Sequence, residues 1–256
     1  MAQAGEAGLV LSIVFTFYKT LDLDHLERAM YSLSRQTALC RASELVFVDN
    51  NTEYSEAEIK AVVESHFQEP FVKYHFCKHG NDDRRHSWSA NYGIRAATND
   101  LFFFTRADYI LMEDALEQMV DEWAKRKPAL VSGWRFHMGA APAGCVPGTP
   151  IDEPAYESYG WREDARFLLQ GRRASFYNSH QDAGVFVTTR TAIALGGWYD
   201  EAMIGFGYQQ STLQRHMWRE DIAMIVVPEF LYLHQFHEAE RDFTKAHEEY
   251  NNSKGG

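Results

Sequence analysis

Segments with strand-like and helix-like spacing alternate along the first half of this chain, and this alternation constrains its fold more than any other feature. Four short runs are rich in apolar and β-branched residues. Each is followed by a run whose apolar residues recur every three or four positions. The predicted strands are residues 9–17, 44–48, 72–76 and 101–105, and the predicted helices are residues 22–36, 55–67, 88–97 and 113–125. This order predicts an α/β fold with an open, mainly parallel sheet and helices on both faces.

The alternation breaks after residue 133. Residues 139–160 are rich in proline and glycine, which predicts a long loop. Regular structure then resumes. The predicted elements are a strand at residues 183–189, a short helix at 190–195, a helix at 212–219 and a strand at 222–227. A chain of 256 residues with this pattern predicts a single domain.

Charge and cysteine usage exclude several classes of protein. The net charge of -11 disfavours nucleic acid as a main partner, because such a partner needs a basic surface. The 3 cysteines are scattered and form neither a disulfide framework nor a Cys-x-x-Cys clip, which is typical of reduced thiols. The apolar run at residues 9–17 fails as a signal peptide and is too short to cross a bilayer. We therefore predict a cytoplasmic protein with no transmembrane segment; the oligomeric state stays open.

Polar residues follow the predicted strands at the points where those strands end. Thr16 and Tyr18 lie at the end of the first strand, Asp49 and Asn51 at the end of the second, and Asp108 after the fourth. The carboxyl ends of parallel strands meet at one edge of a sheet, so these side chains are expected to share a crevice. Each alone also suits a turn or a helix cap. Neither a Gly-x-Gly-x-x-Gly motif nor a P-loop is present, so a nucleotide would have to be held in another way.

Six segments follow one another in an order that is characteristic of a known family. They are residues 10–18, 32–37 (Ser-Leu-Ser-Arg-Gln-Thr), 45–52 (Leu-Val-Phe-Val-Asp-Asn-Asn-Thr), 85–93, 101–111 and 196–201 (Gly-Gly-Trp-Tyr-Asp-Glu). Across residues 9–237 the chain resembles the nucleotide-sugar glycosyltransferases of GT-A fold, particularly family 2. The resemblance implies a hexosyl- or N-acetylhexosaminyl-type transferase. Its donor would be a nucleoside diphosphate sugar, with a UDP-sugar favoured, and its acceptor a hydroxyl, for example on a glycan.

The resemblance also assigns roles to residues and divides the chain. It implies a nucleotide-binding half at about residues 9–130, an acceptor-side half at about 131–237 and a charged tail at 238–256. The implied nucleotide-binding residues are Thr16, Tyr18, Asp49, Asn51, Arg85, Asn91 and Arg106. The implied ligands of a divalent metal, Mn²⁺ or Mg²⁺, are Asp108, His234 and His237. For the two histidines, the alternative is that they cap the last strand or contact phosphate.

Two departures from the family pattern bear on metal use and catalysis. The family's Asp-x-Asp motif is replaced by Arg106-Ala-Asp108, so Arg106 could instead offer a fixed positive charge to a phosphate. Gln209 and Gln210 stand where the family has acidic residues, and a glutamine cannot accept a proton. Three alternatives follow. Asp182 serves as the general base, a retaining mechanism needs no such base, or the chain is a non-catalytic nucleotide-binding or scaffold relative.

Overall fold

The structure, a computed structural model, describes residues 9–77, 86–137, 184–201 and 209–235. The strands are β1 (Leu11–Tyr18), β2 (Ala42–Asn50), β3 (Val72–Cys77), β4 (Leu101–Arg106), β5 (Tyr109–Leu111), β6 (Ala129–His137), β7 (Phe186–Thr189) and β8 (Ala223–His234). The helices are α1 (Leu23–Ser34), α2 (Glu56–Glu64), α3 (His86–Ala96), α4 (Ala115–Lys125), α5 (Arg190–Leu195) and α6 (Gln209–Arg219), with a 3₁₀ turn at Leu39–Arg41.

The strands of the described ranges form one sheet in the order β3-β2-β1-β4-β7-β6-β8-β5. Strands β3, β2, β1 and β4 are parallel, and β6 and β8 are parallel to each other. Strand β7 pairs antiparallel with both β4 and β6, and β5 pairs antiparallel with β8. The predicted α/β fold with a mainly parallel sheet is therefore confirmed, and strands from both predicted halves share the sheet.

Strand β1 lies near the middle of the parallel part of the sheet, and all eight of its residues are buried. A strand buried on both faces requires cover on both sides, which explains why all its residues except Ser12 and Thr16 are apolar. Helix α3 covers one face closely, because a Cβ at Gly93 would lie 2.6 Å from Val14 Cγ1. Side chains at the alternate positions of the strands point to the other face of the sheet, where Phe15 of β1 and Phe47 of β2 stack with ring centroids 5.6 Å apart. Helix α2 begins at a side-chain cap, Ser55, where both bonds of a capping box are present.

Sequence reasoning missed two strands and shortened a third. Strands β5 and β6 were not predicted, and β8 continues to His234, well beyond residue 227. The reason lies in Pro228, which interrupts a strand pattern because it cannot donate to a neighbouring strand. The pairing of β6 with β8 shifts register between Ser132 and Trp134, opposite the stretch of β8 that contains Pro228.

Within the described ranges, none of the helices combines the length and apolar character needed to cross a bilayer. The cytoplasmic location stays a prediction.

Candidate active site

Polar side chains meet where the parallel strands end. Thr16 and Tyr18 lie at the end of β1, and Arg106 ends β4. The register pairs Thr16 with Arg106 on the neighbouring strand, so both side chains leave the same face of the sheet. Ala107 donates its backbone N–H to the carbonyl oxygen of Thr16 at 3.0 Å. Asp108 is the next residue along the chain.

The carboxylate of Asp108 is the centre of this site and is fully buried. The Tyr18 hydroxyl donates to its Oδ2 at 2.7 Å. Arg106 donates from Nε to Oδ1 at 3.2 Å and from Nη2 to Oδ2 at 3.0 Å. The Nε2 atom of His234 lies 3.1 Å from the same Oδ2. Residues of β1, β4 and β8 thus converge on one carboxylate, as the sequence predicted for Tyr18 and Asp108.

Arg106 is itself held in place by two aromatic residues. Its Nη2 also donates to the Tyr109 hydroxyl. Its guanidinium carbon lies 4.8 Å from the centre of the Tyr109 ring and 5.9 Å from the centre of the Tyr18 ring. The side chain is 13% exposed. These contacts fix a planar cation in one orientation beside the buried carboxylate.

Opposing effects determine the protonation of the cluster. Burial by itself would raise the pKa of Asp108. The positive charge of Arg106 and the hydrogen bonds from His234 and Tyr18 outweigh burial and hold that pKa well below its usual range. Burial, followed by the negative charge of Asp108, raises the pKa of Tyr18 well above its usual value. At neutral pH, Asp108 is therefore a carboxylate and Tyr18 a neutral hydrogen-bond donor.

The turn that carries Asp108 is fixed by Gln235, a buried residue directly after β8. Gln235 donates its backbone N–H to the carbonyl oxygen of Asp108 at 2.7 Å. Its side-chain amide donates to the carbonyl oxygens of Ala107 at 2.9 Å and of His25 at 3.1 Å. Arg28 Nε in turn donates to Gln235 Oε1 at 2.5 Å. Sequence reasoning missed Gln235, because its role depends on contacts with residues that are far away in the sequence.

The end of β2 combines a turn with an unsatisfied acceptor. Asp49 Oδ1 accepts the backbone N–H of Thr52 at 3.2 Å, which is the turn role that the sequence also allowed. Asn51 adopts a φ of 61° and donates its N–H to the Cys77 carbonyl oxygen at 2.9 Å. The Oδ1 atom of Asn50 is buried and, among the described residues, has no hydrogen-bond partner. A ligand donor at this edge would satisfy that acceptor, which sequence reasoning did not single out.

Asn91 has protein partners for both ends of its amide. Its Nδ2 donates to the Tyr199 carbonyl oxygen at 2.9 Å and to Glu201 Oε1 at 2.8 Å. Its Oδ1 accepts the Tyr199 backbone N–H at 3.1 Å. These bonds tie α3 to the Gly-Gly-Trp-Tyr-Asp-Glu turn and account for Asn91 without a ligand. A nucleotide contact at Asn91 stays a prediction.

Several predicted site residues fall where the structure gives no side-chain contacts. Arg85, Asp182 and His237 lie outside the described residues. Gln209 and Gln210 begin α6, and only their backbone is described. Their predicted roles therefore stay predictions.

The surroundings of the Asp108 carboxylate bear on the predicted metal site. Three polar contacts approach Oδ2 of Asp108 and one approaches Oδ1, and Arg106 contacts both oxygens, so a metal ion at either oxygen would lie beside a fixed positive charge. Among the residues that the structure describes, no group of three or more His, Cys, Asp or Glu side chains is arranged to hold a metal ion. In this arrangement the described side chains do not fit Mn²⁺ or Mg²⁺. A metal site that includes His237 stays a prediction.

Comparisons with known proteins agree with this architecture. The chain is similar to the crystal structure of GalNAc-T7 with UDP, GalNAc and Mn²⁺, with a TM-score of 0.67 and 16% sequence identity. The alignment covers 91% of this chain and 45% of that chain. At this identity the likeness shows the fold alone, and it confirms the predicted GT-A type. Comparison with curated proteins found no match.

The family itself is identified from the sequence. The model described as glycosyl transferase family 2 matches residues 12–194, which is more than half of the chain. The matched range contains all of β1 after its first residue, β2 and the turn that carries Asp108, and so most of the site described above. The chain therefore belongs to glycosyl transferase family 2.

Proposed function

We propose that this protein transfers a sugar from a nucleoside diphosphate sugar to an acceptor hydroxyl. The observation that carries the proposal is the buried ion pair of Arg106 and Asp108, with Tyr18 and His234 around it, at the carboxyl ends of the strands. Ligands of open α/β sheets bind beyond these ends. As the bond from the anomeric carbon to the phosphate oxygen breaks, negative charge develops on the diphosphate. Fixed cations and donors in a buried site stabilise that charge.

A UDP-sugar is the proposed donor. The similar solved structure is named as a complex with UDP, GalNAc and Mn²⁺, which supports a uridine nucleotide and a transferase of the N-acetylhexosaminyl or related hexosyl type. The proposed nucleotide contacts are Thr16, Tyr18, Asp49, Asn51, Arg85, Asn91 and Arg106. The proposed acceptor carries a hydroxyl, as glycans do.

The diphosphate needs a cation, and the site offers two candidates. The resemblance implies Mn²⁺ or Mg²⁺ at Asp108 with His234 or His237, and a bound ion would supply Lewis-acid stabilisation of the diphosphate. Arg106 is the other cation at this carboxylate. In either case Tyr18 orients Asp108 through its hydrogen bond.

Asp182 is the proposed general base, which accepts the proton of the acceptor hydroxyl in an inverting reaction. In a retaining reaction no such base is needed, and a non-catalytic relative would bind the donor without turnover. An Asp182→Asn variant separates the first alternative from the others. If Asp182 is the base, this variant loses sugar transfer and keeps donor binding.

The proposed function is tested by binding and by turnover. The melting temperature is measured with a panel of UDP- and GDP-sugars and free nucleotides, because a ligand of the folded state raises it. Nucleotide release is then followed with candidate acceptors. We expect one UDP-sugar to raise the melting temperature of the wild type and of Asp121→Asn, a control at an exposed site on α4. Asp108→Asn, checked for folding by circular dichroism, should lose that response.

The outcomes divide the alternatives. Binding followed by nucleotide release supports the transferase. Binding without release with any acceptor supports the non-catalytic relative. If no nucleotide or nucleotide sugar changes the melting temperature, the proposed donor class is refuted.

A further inference from the structure

The contacts of Arg106 and Asp108 bear on how the donor diphosphate is neutralised. A divalent ion bound to Asp108 would need a free lone pair of the carboxylate. Oδ2 is approached by Tyr18, Arg106 and His234. Oδ1 accepts from Arg106 Nε. Arg106 contacts both oxygens, so an ion bound to either one would lie beside the guanidinium, and the two positive charges would repel each other unless the arginine moved away.

Displacement of Arg106 would break more than its ion pair. Its guanidinium packs over the Tyr109 ring and hydrogen-bonds the Tyr109 hydroxyl. Tyr109 in turn packs edge-on against Tyr232, with ring centroids 5.0 Å apart, and against His234, at 5.3 Å. The arginine is thus built into the aromatic packing between β4, β5 and β8. This arrangement distinguishes it from a surface side chain that could move away at little cost.

The position of Arg106 also suits a phosphate. It ends β4 beside Thr16, at the edge of the sheet where ligands of such folds bind. A guanidinium is always charged, and its planar set of donors matches phosphate oxygens. The carboxylate of Asp108 pairs with the guanidinium and holds it at this edge of the sheet.

We infer that Arg106 takes the place of the divalent cation of this family, so that the protein binds its nucleoside diphosphate donor without a metal ion. This inference rests on the proposed function, since it concerns the same donor. Asp108, Tyr18 and Tyr109 act as positioning residues that orient the arginine. The first carboxylate of the Asp-x-Asp motif is absent because the cation itself occupies that position in the chain.

The test is the metal dependence of nucleotide binding, measured by isothermal titration calorimetry with UDP and UDP-sugars. Wild-type protein is stripped with EDTA and titrated in EDTA, in Mg²⁺ and in Mn²⁺. We expect dissociation constants that agree within about twofold, which is well under the tenfold of 1.4 kcal/mol. Binding that requires Mg²⁺ or Mn²⁺ overturns the inference and leaves the proposed function standing. If UDP and UDP-sugars bind under none of these conditions, the proposed function fails and the inference fails with it.

The inference also predicts that a variant without the Arg106 guanidinium binds UDP in a metal-dependent way. Arg106→Asp removes the guanidinium and supplies a second carboxylate to Asp108. We expect it to bind UDP at least about tenfold more weakly than wild type in EDTA and to regain affinity with Mn²⁺. Arg41→Asp, at an exposed ion pair with Asp121, is the matched control and should bind like wild type. Equal affinity of Arg106→Asp and wild type in EDTA overturns the inference. Should Arg106→Asp fail to fold, the wild-type titration decides alone.

Discussion

The ion pair of Arg106 and Asp108 makes a quantitative prediction about stability. Asp108 is 0% exposed and the Arg106 side chain 13% exposed, so loss of either partner leaves the other charge largely buried. Removal of one partner of a buried pair costs about 3–5 kcal/mol. Because Arg106 is partly exposed and Asp108 keeps donors from Tyr18 and His234, we expect the lower figure, about 3 kcal/mol, for Asp108→Asn and for Arg106→Met.

The double variant, Arg106→Met with Asp108→Asn, leaves no uncompensated charge. We therefore expect it to cost about as much as one single variant, instead of the roughly 6 kcal/mol of two independent losses. The implied coupling energy is about 3 kcal/mol, which is a large share of the 5–15 kcal/mol by which a typical domain is stable.

The assay is urea unfolding of the four proteins at neutral pH, followed by circular dichroism and tryptophan fluorescence. If the loss in the double variant equals the sum of the single losses to within about 0.5 kcal/mol, the two charges are independent and the reasoning is refuted. The same result would also weaken the argument that the guanidinium is fixed by the carboxylate.

Three further predictions concern residues elsewhere in the sheet and in α3. Gly93→Ala places a Cβ at 2.6 Å from Val14 Cγ1, so we expect a loss of about 1–2 kcal/mol in urea unfolding, and a gain of stability would contradict the close packing of α3. Burial alone would raise the pKa of Glu44, but its hydrogen bonds outweigh burial and lower that pKa below its usual value. The ionised form of Glu44 therefore stabilises the fold at pH values above the pKa of the unfolded chain, and this stabilisation is lost as the pH falls. Glu44→Gln should therefore cost about 1–2 kcal/mol at pH 7 and less below about pH 4, and a pH-independent loss would exclude that origin. Burial raises the pKa of the Cys77 thiol to about 11, so maleimide should label exposed Cys40 at least about tenfold faster, as mapped by mass spectrometry, and equal rates would refute this.

The strands of the sheet could be predicted where the local pattern of apolar residues matches the burial of the strand in the folded protein. Strand β1 is apolar except at Ser12 and Thr16 because it is buried on both faces, and so its sequence alone indicates a strand. Strand β5 spans only Tyr109–Leu111, which is too short to form a pattern. The last part of β8 was missed because Pro228 interrupts the strand pattern, and the register shift against β6 opposite this stretch exists only in the folded sheet.

The sequence predicted where the site residues lie in the sheet, but it did not predict which of them contact each other. Thr16, Tyr18 and Asp108 follow strand-like runs, so the fold rule places them at one edge. That Tyr18 donates to Asp108 depends on β1 and β4 being neighbours, and the two residues are 90 positions apart. The contact of Asp108 with His234 depends on the pairing of β5 with β8. Such long-range pairs follow from strand order, which no local pattern encodes.

The contact between Gln235 and the turn at Ala107 also has a consequence for the protein's biosynthesis. These residues are 128 positions apart, and the same turn carries Asp108. A ribosome adds about 5–20 residues per second, so roughly 6–25 s pass between the synthesis of the turn and that of Gln235. During this interval β1 and β4 already exist, while the groups that complete the carboxylate's surroundings do not. The surroundings of Asp108 are therefore completed later in synthesis than strands β1 and β4, which supply Tyr18 and Arg106.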